Sequence, residues 1–319
     1  MKKLLAILLT LCLMLPAVTA LADETPIRVY ALMGPTGIGM VKLMNNNDGT
    51  YSFELKNAPD EVVAAIASGS ADIAAVPTNL AATLYQKLNG GVQLVALNTL
   101  GVLYVLDATG EVDELADLAG RTLYVSGQGA IPEYALNYIL AANALTDAVT
   151  VEFMPDHATL ATQAAQGMVD LCLLPEPNVT AVLMQNESFR IALDVTALYD
   201  EAAAAAGNDG ATMSMGCVIV RTEWAQAHPD ELAAFMAAYA ESVAFVNDDV
   251  AAAAQMVEEQ GIMPKAAVAA KAIPNCHIVF IAGEEMKTQI EPFFQVLFDE
   301  NPSSVGGALP GEDFYYQAP

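Results

Sequence analysis

Basic side chains are scarce in this sequence. Twelve Lys and Arg stand against 38 Asp and Glu, a formal charge of −26 at pH 7. A surface of that sign repels nucleic-acid phosphates and anionic membrane faces, which excludes both as partners. Histidine is almost missing. His157, His228 and His277 show no metal-ligand spacing, and sequence nominates none of them as the base for Ser126, Ser214 or a cysteine. Neither a metal centre nor a nucleophile-base pair can be nominated, so no catalytic residue and no metal ligand is expected. Cysteine is limited to Cys12, Cys172, Cys217 and Cys276 with no C-x-x-C pair, which excludes a zinc site and a disulfide framework. The last three are expected as buried thiols, with a single disulfide left open. The glycines of Gly34-Pro35-Thr36-Gly37-Ile38-Gly39 do not follow G-x-G-x-x-G, and no Gly-Lys-Ser/Thr follows them. Nucleotide binding is therefore not expected, and no cofactor is implied. The one tryptophan, Trp224, reads as a core residue opening a helix.

What is present begins with a leader. Lys2 and Lys3 precede an apolar run from Leu4 to Leu15, then Pro16 and the small-residue stretch to Ala22. The run is too short to span a bilayer and fits a secretory signal over 1–22, cleaved before Asp23 after Ala20-x-Ala22. Cys12 follows Leu11, where a lipid-attachment site wants a small residue, so no lipobox is found. The chain is expected in the periplasm or at the cell exterior, and its acidity reads as solubility after export.

Beyond the leader, strand-like and helix-like runs alternate: Ile27–Met33, Gly37–Asn46, Tyr51–Leu55, Asp60–Ser68, Ile73–Val76, Thr78–Leu88, Gln93–Leu97. The same rhythm restarts at Thr122–Val125 and continues to Asn178–Met184. This is the βαβ pattern of parallel sheets flanked by helices. An internal echo joins the two halves. Gly69-x-x-Asp72-Ile73-x-x-Val76-Pro77 returns as Gly167-x-x-Asp170-Leu171-x-x-Leu174-Pro175, and the strand running into Gly34-Pro35-Thr36-Gly37 is answered by the one running into Gly127-Gln128-Gly129-Ala130. Two lobes on one plan are expected: an α/β fold, each lobe a mainly parallel sheet, with lobe 1 over 23–107 plus 214–319 and lobe 2 over 108–213. The chain would cross near Asp107 and again near Met213–Met215, and two crossings make a hinge. Regularity lapses through Glu201–Gly210, and from Trp224 to Glu300 the pattern is almost wholly helical. Leu232, Phe235, Met236, Tyr239, Val243 and Val246 mark one buried helix face there.

Ligands in open α/β sheets sit beyond the carboxyl ends of the strands. Four loops meet that condition: Gly34–Gly37, Pro77–Asn79, Gly127–Ile131 and Pro175–Asn178. Candidate binding residues are Gly34, Pro35, Thr36, Gly37, Pro77, Thr78, Asn79, Gly127, Gln128, Gly129, Ala130, Glu176 and, on the returning strand, Met215. Glycines let backbone approach a ligand, and helix starts offer free N–H groups. Thr36, Thr78 and Asn79 serve equally as helix caps, and Glu176 equally as an exposed carboxylate at a helix start. Gln128 reaches either ligand or solvent.

With the leader, Gly34-Pro35-Thr36-Gly37, Gly69-x-x-Asp72-Ile73-Ala74-Ala75-Val76-Pro77, Leu118-Ala119-Gly120-Arg121-Thr122-Leu123-Tyr124-Val125 and Leu174-Pro175-Glu176-Pro177 in this order, the chain resembles the substrate-binding proteins of ABC importers in the nitrate/sulfonate/taurine/thiamine-precursor (SsuA/THI5-like) group. The resemblance implies a periplasmic-binding-protein type 2 fold, a monomer that closes on a small molecule, and delivery to an ABC permease. It carries Thr36, Thr78, Asn79, Gln128, Ala130 and Glu176 over as ligand contacts. One departure changes the expected guest. Relatives that grip sulfonates often use a basic side chain, and these four loops contain no Lys or Arg. A neutral or weakly basic heteroaromatic molecule is favoured over a sulfonate or nitrate. Two rival readings stand: an enzyme on the related fold used in thiamine-pyrimidine and menaquinone synthesis, and an extracellular sensory module.

Overall fold

A computed structural model describes residues 25–318. The expected leader at 1–22, the cleavage point before Asp23 and Cys12 lie outside the described residues. In lobe 1, β1 (Ile27–Leu32), β2 (Tyr51–Lys56) and β3 (Ile73–Pro77) pair in parallel with β1 in the middle. The first four residues of β3 are buried on both faces, as a central strand covered by helices requires. β2, at the edge, alternates half-buried and exposed positions. The connections are α1 (Pro35–Ile38) with α2 (Val41–Asn45), and α3 (Pro59–Ser68); α4 (Thr78–Lys87) follows β3 and leads to β4 (Val92–Leu100). The single helix expected over Gly37–Asn46 is broken at Gly39–Met40, where Gly39 passes so close to Tyr239 that a Cβ would stand 2.9 Å from its hydroxyl.

From β4 the chain moves directly into lobe 2. β5 (Leu103–Asp107) pairs antiparallel with strands of the second sheet. The first crossing is therefore at Gly101–Val102, not near Asp107, and Asp107 ends a lobe 2 strand. Lobe 2 then repeats the lobe 1 plan: β6 (Thr122–Ser126), α5 (Ile131–Ala142), β7 (Thr150–Met154), α6 (His157–Ala165), β8 (Leu171–Pro175), α7 (Asn178–Gln185) and β9 (Arg190–Asp194). Its strand order is β7-β6-β8-β5-β9. The stretch read as irregular from Glu201 begins inside a helix, α8 (Val195–Ala205). Asp194 starts it by accepting from the N–H groups of Thr196 and Ala197.

The chain returns through Met213 to β10 (Ser214–Arg221), which inserts antiparallel between β3 and β4. β5 occupies the matching place between β8 and β9. Each sheet is thus mixed, parallel in one half and antiparallel around the strand that arrives from the other lobe. The echo holds in backbone as well: Gly34 and Gly127 share φ +91°, and Gly69 and Gly167 sit at +73° and +69°.

The remainder is α9 (Thr222–Ala227), α10 (Pro229–Asp248), α11 (Val250–Glu259), α12 (Ala266–Ala272) and α13 (Gly283–Glu300). It is not wholly helical, since β11 (Ile278–Ala282) closes the lobe 1 sheet beside β4 in the order β11-β4-β10-β3-β1-β2. α10 buries Leu232, Phe235, Tyr239, Val243 and Val246 as expected, while Met236 is half-buried. No helix among the described residues is long and apolar enough to cross a membrane. Cys172, Cys217 and Cys276 are free and buried.

Candidate functional site

The carboxyl ends of β1, β3, β6 and β8 lead into the four loops singled out by sequence. In lobe 1 the positive φ of Gly34 turns the chain sharply out of β1. Thr36 Oγ1 donates to the Leu32 carbonyl at 3.4 Å, and the Thr36 carbonyl accepts from Asn98 Nδ2 at 3.1 Å. Beneath them lies Gly216, where a Cβ would stand 2.5 Å from Thr36 Cγ2 and 2.6 Å from Asn98 Oδ1. Thr78 Oγ1 is 3.0 Å from Ser214 Oγ, which also lies 3.2 Å from the Thr99 carbonyl and 3.1 Å from that of Gly216. Neither threonine caps its helix. Both are spent on tying the loop ends of β1 and β3 to β4 and β10. Pro77 pairs with Gly216 in the sheet register, and Met215 packs half-buried against both large core clusters. Gly34 and Gly37 are buried, and Pro35 and Asn79 are half-buried. Thr36, Pro77, Thr78 and Met215 are therefore brought to one edge of lobe 1.

In lobe 2, Gln128 and Gly129 are exposed, Gly127 and Ala130 half-buried. The Gly129 N–H is already taken, donating to Glu133 Oε2 at 2.5 Å. Glu176 departs furthest from expectation. It is 2% exposed, not a surface carboxylate. It accepts from the Thr180 N–H at 3.0 Å, Thr180 Oγ1 at 2.9 Å and Asn275 Nδ2 at 3.2 Å. Burial pushes its carboxyl up from the ordinary glutamate value, and these three donors oppose the rise. Asn275 precedes β11 in the helical layer of lobe 1, and its carbonyl accepts from Tyr104 Oη of lobe 2 at 3.0 Å. Glu176 and Tyr104 thus meet lobe 1 at a single residue.

Sequence reasoning named no base beside Ser126, yet the fold brings Ser126 Oγ within 2.6 Å of His157 Nδ1. Ser126 is fully buried. Burial lowers the His157 pKa from the ordinary imidazole value. The neighbouring Asp156 carboxylate is engaged by the N–H and hydroxyl of Thr159, at 2.7 and 3.0 Å, as the cap of α6. Those bonds hold Asp156 to its own helix, and the serine-histidine bond fastens α6 to the end of β6. Asn98, Ser214 and Asn275 were also missed. Asn98 and Ser214 sit in apolar strands where a lone polar residue carries no periodic signal. The break Pro274-Asn275-Cys276 was the one hint for Asn275.

A surface hollow of about 960 Å³ opens at the other end of lobe 1, where β1 and β3 begin. Its charged groups are engaged within the chain: Arg28 Nε donates to Asp72 at 2.8 Å, His228 lies 3.3 Å from Glu231, and Asp48 accepts from the N–H and hydroxyl of Thr50. Trp224 stacks on His228 there with ring centres 5.0 Å apart, half-buried and not in the core. The paired loops, not this hollow, lie where the topology places ligands.

Three comparisons bear on the site. No curated protein matches the chain. Among solved structures, an ABC transporter from Parabacteroides distasonis is 25% identical with a TM-score of 0.79, covering 92% of this chain and 99% of its own. The periplasmic aliphatic sulphonate binding protein SsuA from Escherichia coli is 16% identical with a TM-score of 0.68, covering 91% and 95%. The alkanesulfonate-binding protein SsuA from Xanthomonas axonopodis pv. citri, bound to MOPS, is 14% identical with a TM-score of 0.59, covering 91% and 96%. The fold is that of the type 2 periplasmic binding proteins. The NMT1/THI5-like family model matches residues 52–253, more than half of the sequence, and the chain belongs to that family.

Proposed function

We propose that the chain is the exported solute-binding component of an ABC importer. It captures a small organic molecule between its lobes and hands it to a membrane permease. The observation that carries this reading is the pairing of Gly34 and Gly127 loops, and of Pro77 and Pro175 loops, on two lobes that share one topology. Near-complete coverage of a 25% identical ABC transporter structure supports it. The hinge of this reading is Gly101–Val102 together with Met213–Met215. The wall of lobe 1 is Gly34, Pro35, Thr36, Gly37, Pro77, Thr78, Asn79 and Met215; that of lobe 2 is Gly127, Gln128, Gly129, Ala130 and Glu176.

The guest is a neutral or weakly basic heteroaromatic molecule. Two backbone donors of lobe 2 that would suit an anion are met by the chain's own carboxylates, Gly129 N–H by Glu133 and Thr180 N–H by Glu176. A sulfonate seated there would meet like charge at close range, which disfavours it. Calorimetric titration with a neutral aminopyrimidine and with MOPS separates the classes. Heat of binding is expected from the aminopyrimidine alone. Tight MOPS binding with none of the heterocycle overturns the ligand class, and turnover of either compound overturns capture in favour of an enzyme.

A further inference from the structure

The bond between Ser126 and His157 is not required by the plan that the two lobes share. Ser126 stands immediately before Gly127 as Met33 does before Gly34, and the two glycines share φ +91°. His157 is the first residue of α6 as Pro59 is of α3. Lobe 1 is therefore built on the same plan with an apolar pair in these places. In lobe 2 they bring Ser126 Oγ to 2.6 Å from His157 Nδ1. The imidazole lies at the carboxyl edge of the sheet, where β7 ends beside β6, and a Cβ on Gly127 would stand 3.4 Å from its Cε1. It borders the proposed lobe 2 wall from a fifth loop, which carries none of the residues so far assigned to that wall.

Hydrogen-bond accounting fixes the proton. Ser126 is fully buried, and the imidazole is the one partner of its hydroxyl among the described residues. The hydroxyl hydrogen therefore goes to Nδ1, and the neutral ring carries its own proton on Nε2. Burial lowers the His157 pKa; the Asp156 carboxylate opposes that fall but spends its oxygens on Thr159. The other ring nitrogen, Nε2, meets no protein group among the described residues and is open to solvent at a half-buried residue. We propose that His157 is a further ligand contact, a fixed neutral donor whose Nε2–H reads a hydrogen-bond acceptor on the guest, such as the ring nitrogen of a heteroaromatic molecule. This rests on the capture reading and adds a chemical requirement to it: the guest bears an acceptor on the edge that faces lobe 2. A neutral donor costs less to desolvate than a cation, and once dry it penalises any guest that leaves it unpaired.

Two substitutions separate this role from the fastening of α6. His157→Asn keeps an acceptor near the Nδ1 position for Ser126 and lacks the outer donor, whereas His157→Gln carries an N–H to the outer position and abandons Ser126. The full chain is titrated calorimetrically with 4-aminopyrimidine and with aniline, which keeps the ring and the amine but lacks the ring nitrogens. The wild type is expected to favour 4-aminopyrimidine by about fivefold, the worth of one such hydrogen bond. His157→Gln should retain most of that preference and His157→Asn should lose it, although Tm should rank the two variants the other way. A preference that survives in His157→Asn overturns the proposal. Nitrogen-15 NMR of the histidine-labelled, ligand-free chain tests the proton itself. His157 should show the Nε2–H tautomer, opposite to His277, whose Nδ1 donates to the Gly101 carbonyl at 2.5 Å. An Nδ1–H tautomer at His157 overturns the proposal with no ligand present. Binding of MOPS in place of the heterocycle overturns the ligand class alone, and its loss in His157→Asn but not in His157→Gln would still uphold the contact.

Discussion

Replacing Gly101 by alanine is expected to destabilise the protein by about 3 kcal/mol, the upper end of what overpacking a core costs. The added methyl would overlap Thr196 Oγ1 and stand 2.5 Å from Met213 Cε and 2.8 Å from Thr196 Cβ. Met213 Cε ends a flexible side chain and can give, but Thr196 Oγ1 and Cβ sit on a short one that cannot retreat without its backbone. Thr196 begins α8 and is 7% exposed, while Met213 is fully buried on the return crossing. Both crossings and the start of α8 therefore meet where only a hydrogen fits. Denaturant titration should show a lower midpoint with an unchanged slope. Combining Gly101→Ala with Thr196→Ala should recover part of the loss, because the deepest overlap is with Oγ1 while the Cβ contact remains. Full wild-type stability in the single variant would mean that the crossing is looser than described.

The second large effect is expected at Phe293→Ala. Phe293 and Phe294 are both essentially without exposure, yet they serve different lobes. Truncating a buried phenylalanine costs about 3–5 kcal/mol. At Phe293 the loss falls on the contact with Tyr199, itself 5.3 Å from Tyr138. At Phe294 it falls on Phe314 and the lobe 1 sheet. Hydrogen exchange should separate the two: Phe293→Ala should speed exchange in α8 and α5 of lobe 2, Phe294→Ala in α4 and β4 of lobe 1. Identical exchange maps would contradict the division of α13 between lobes.

The repeated lobe plan was legible because its signals are local. Gly69 and Gly167 end helices in the left-handed region, Asp72 and Asp170 precede strands, and Pro77 and Pro175 close them. The strand that enters lobe 2 at the first crossing, β5, is not legible, because nothing local marks it. β5 continues the apolar run of β4 across Gly101, so the crossing was placed five residues late. β11 follows the alanine-rich helix α12, and its five residues are too few to declare a period of two. The loops at the carboxyl ends of β1, β3, β6 and β8 could be named, but the burial of Glu176 could not. That depends on Asn275, 99 residues away. Thr36 and Thr78 illustrate the same limit. Their position predicts a cap, while the Thr36 hydroxyl turns back to the Leu32 carbonyl, its carbonyl meets Asn98, and the Thr78 hydroxyl meets Ser214. Ser126 and His157, 31 residues apart, could be joined only by the fold.

Capture between the lobes is tested most directly by native mass spectrometry of the purified wild-type chain beside Thr36→Trp, whose indole is too large for the tight place beside Gly216 and Asn98 and would project over the lobe 1 edge. The account predicts one small, chemically unaltered molecule retained per wild-type chain and none by the folded variant. A molecule held equally by both would contradict it, because the ligand would then sit away from the facing loops.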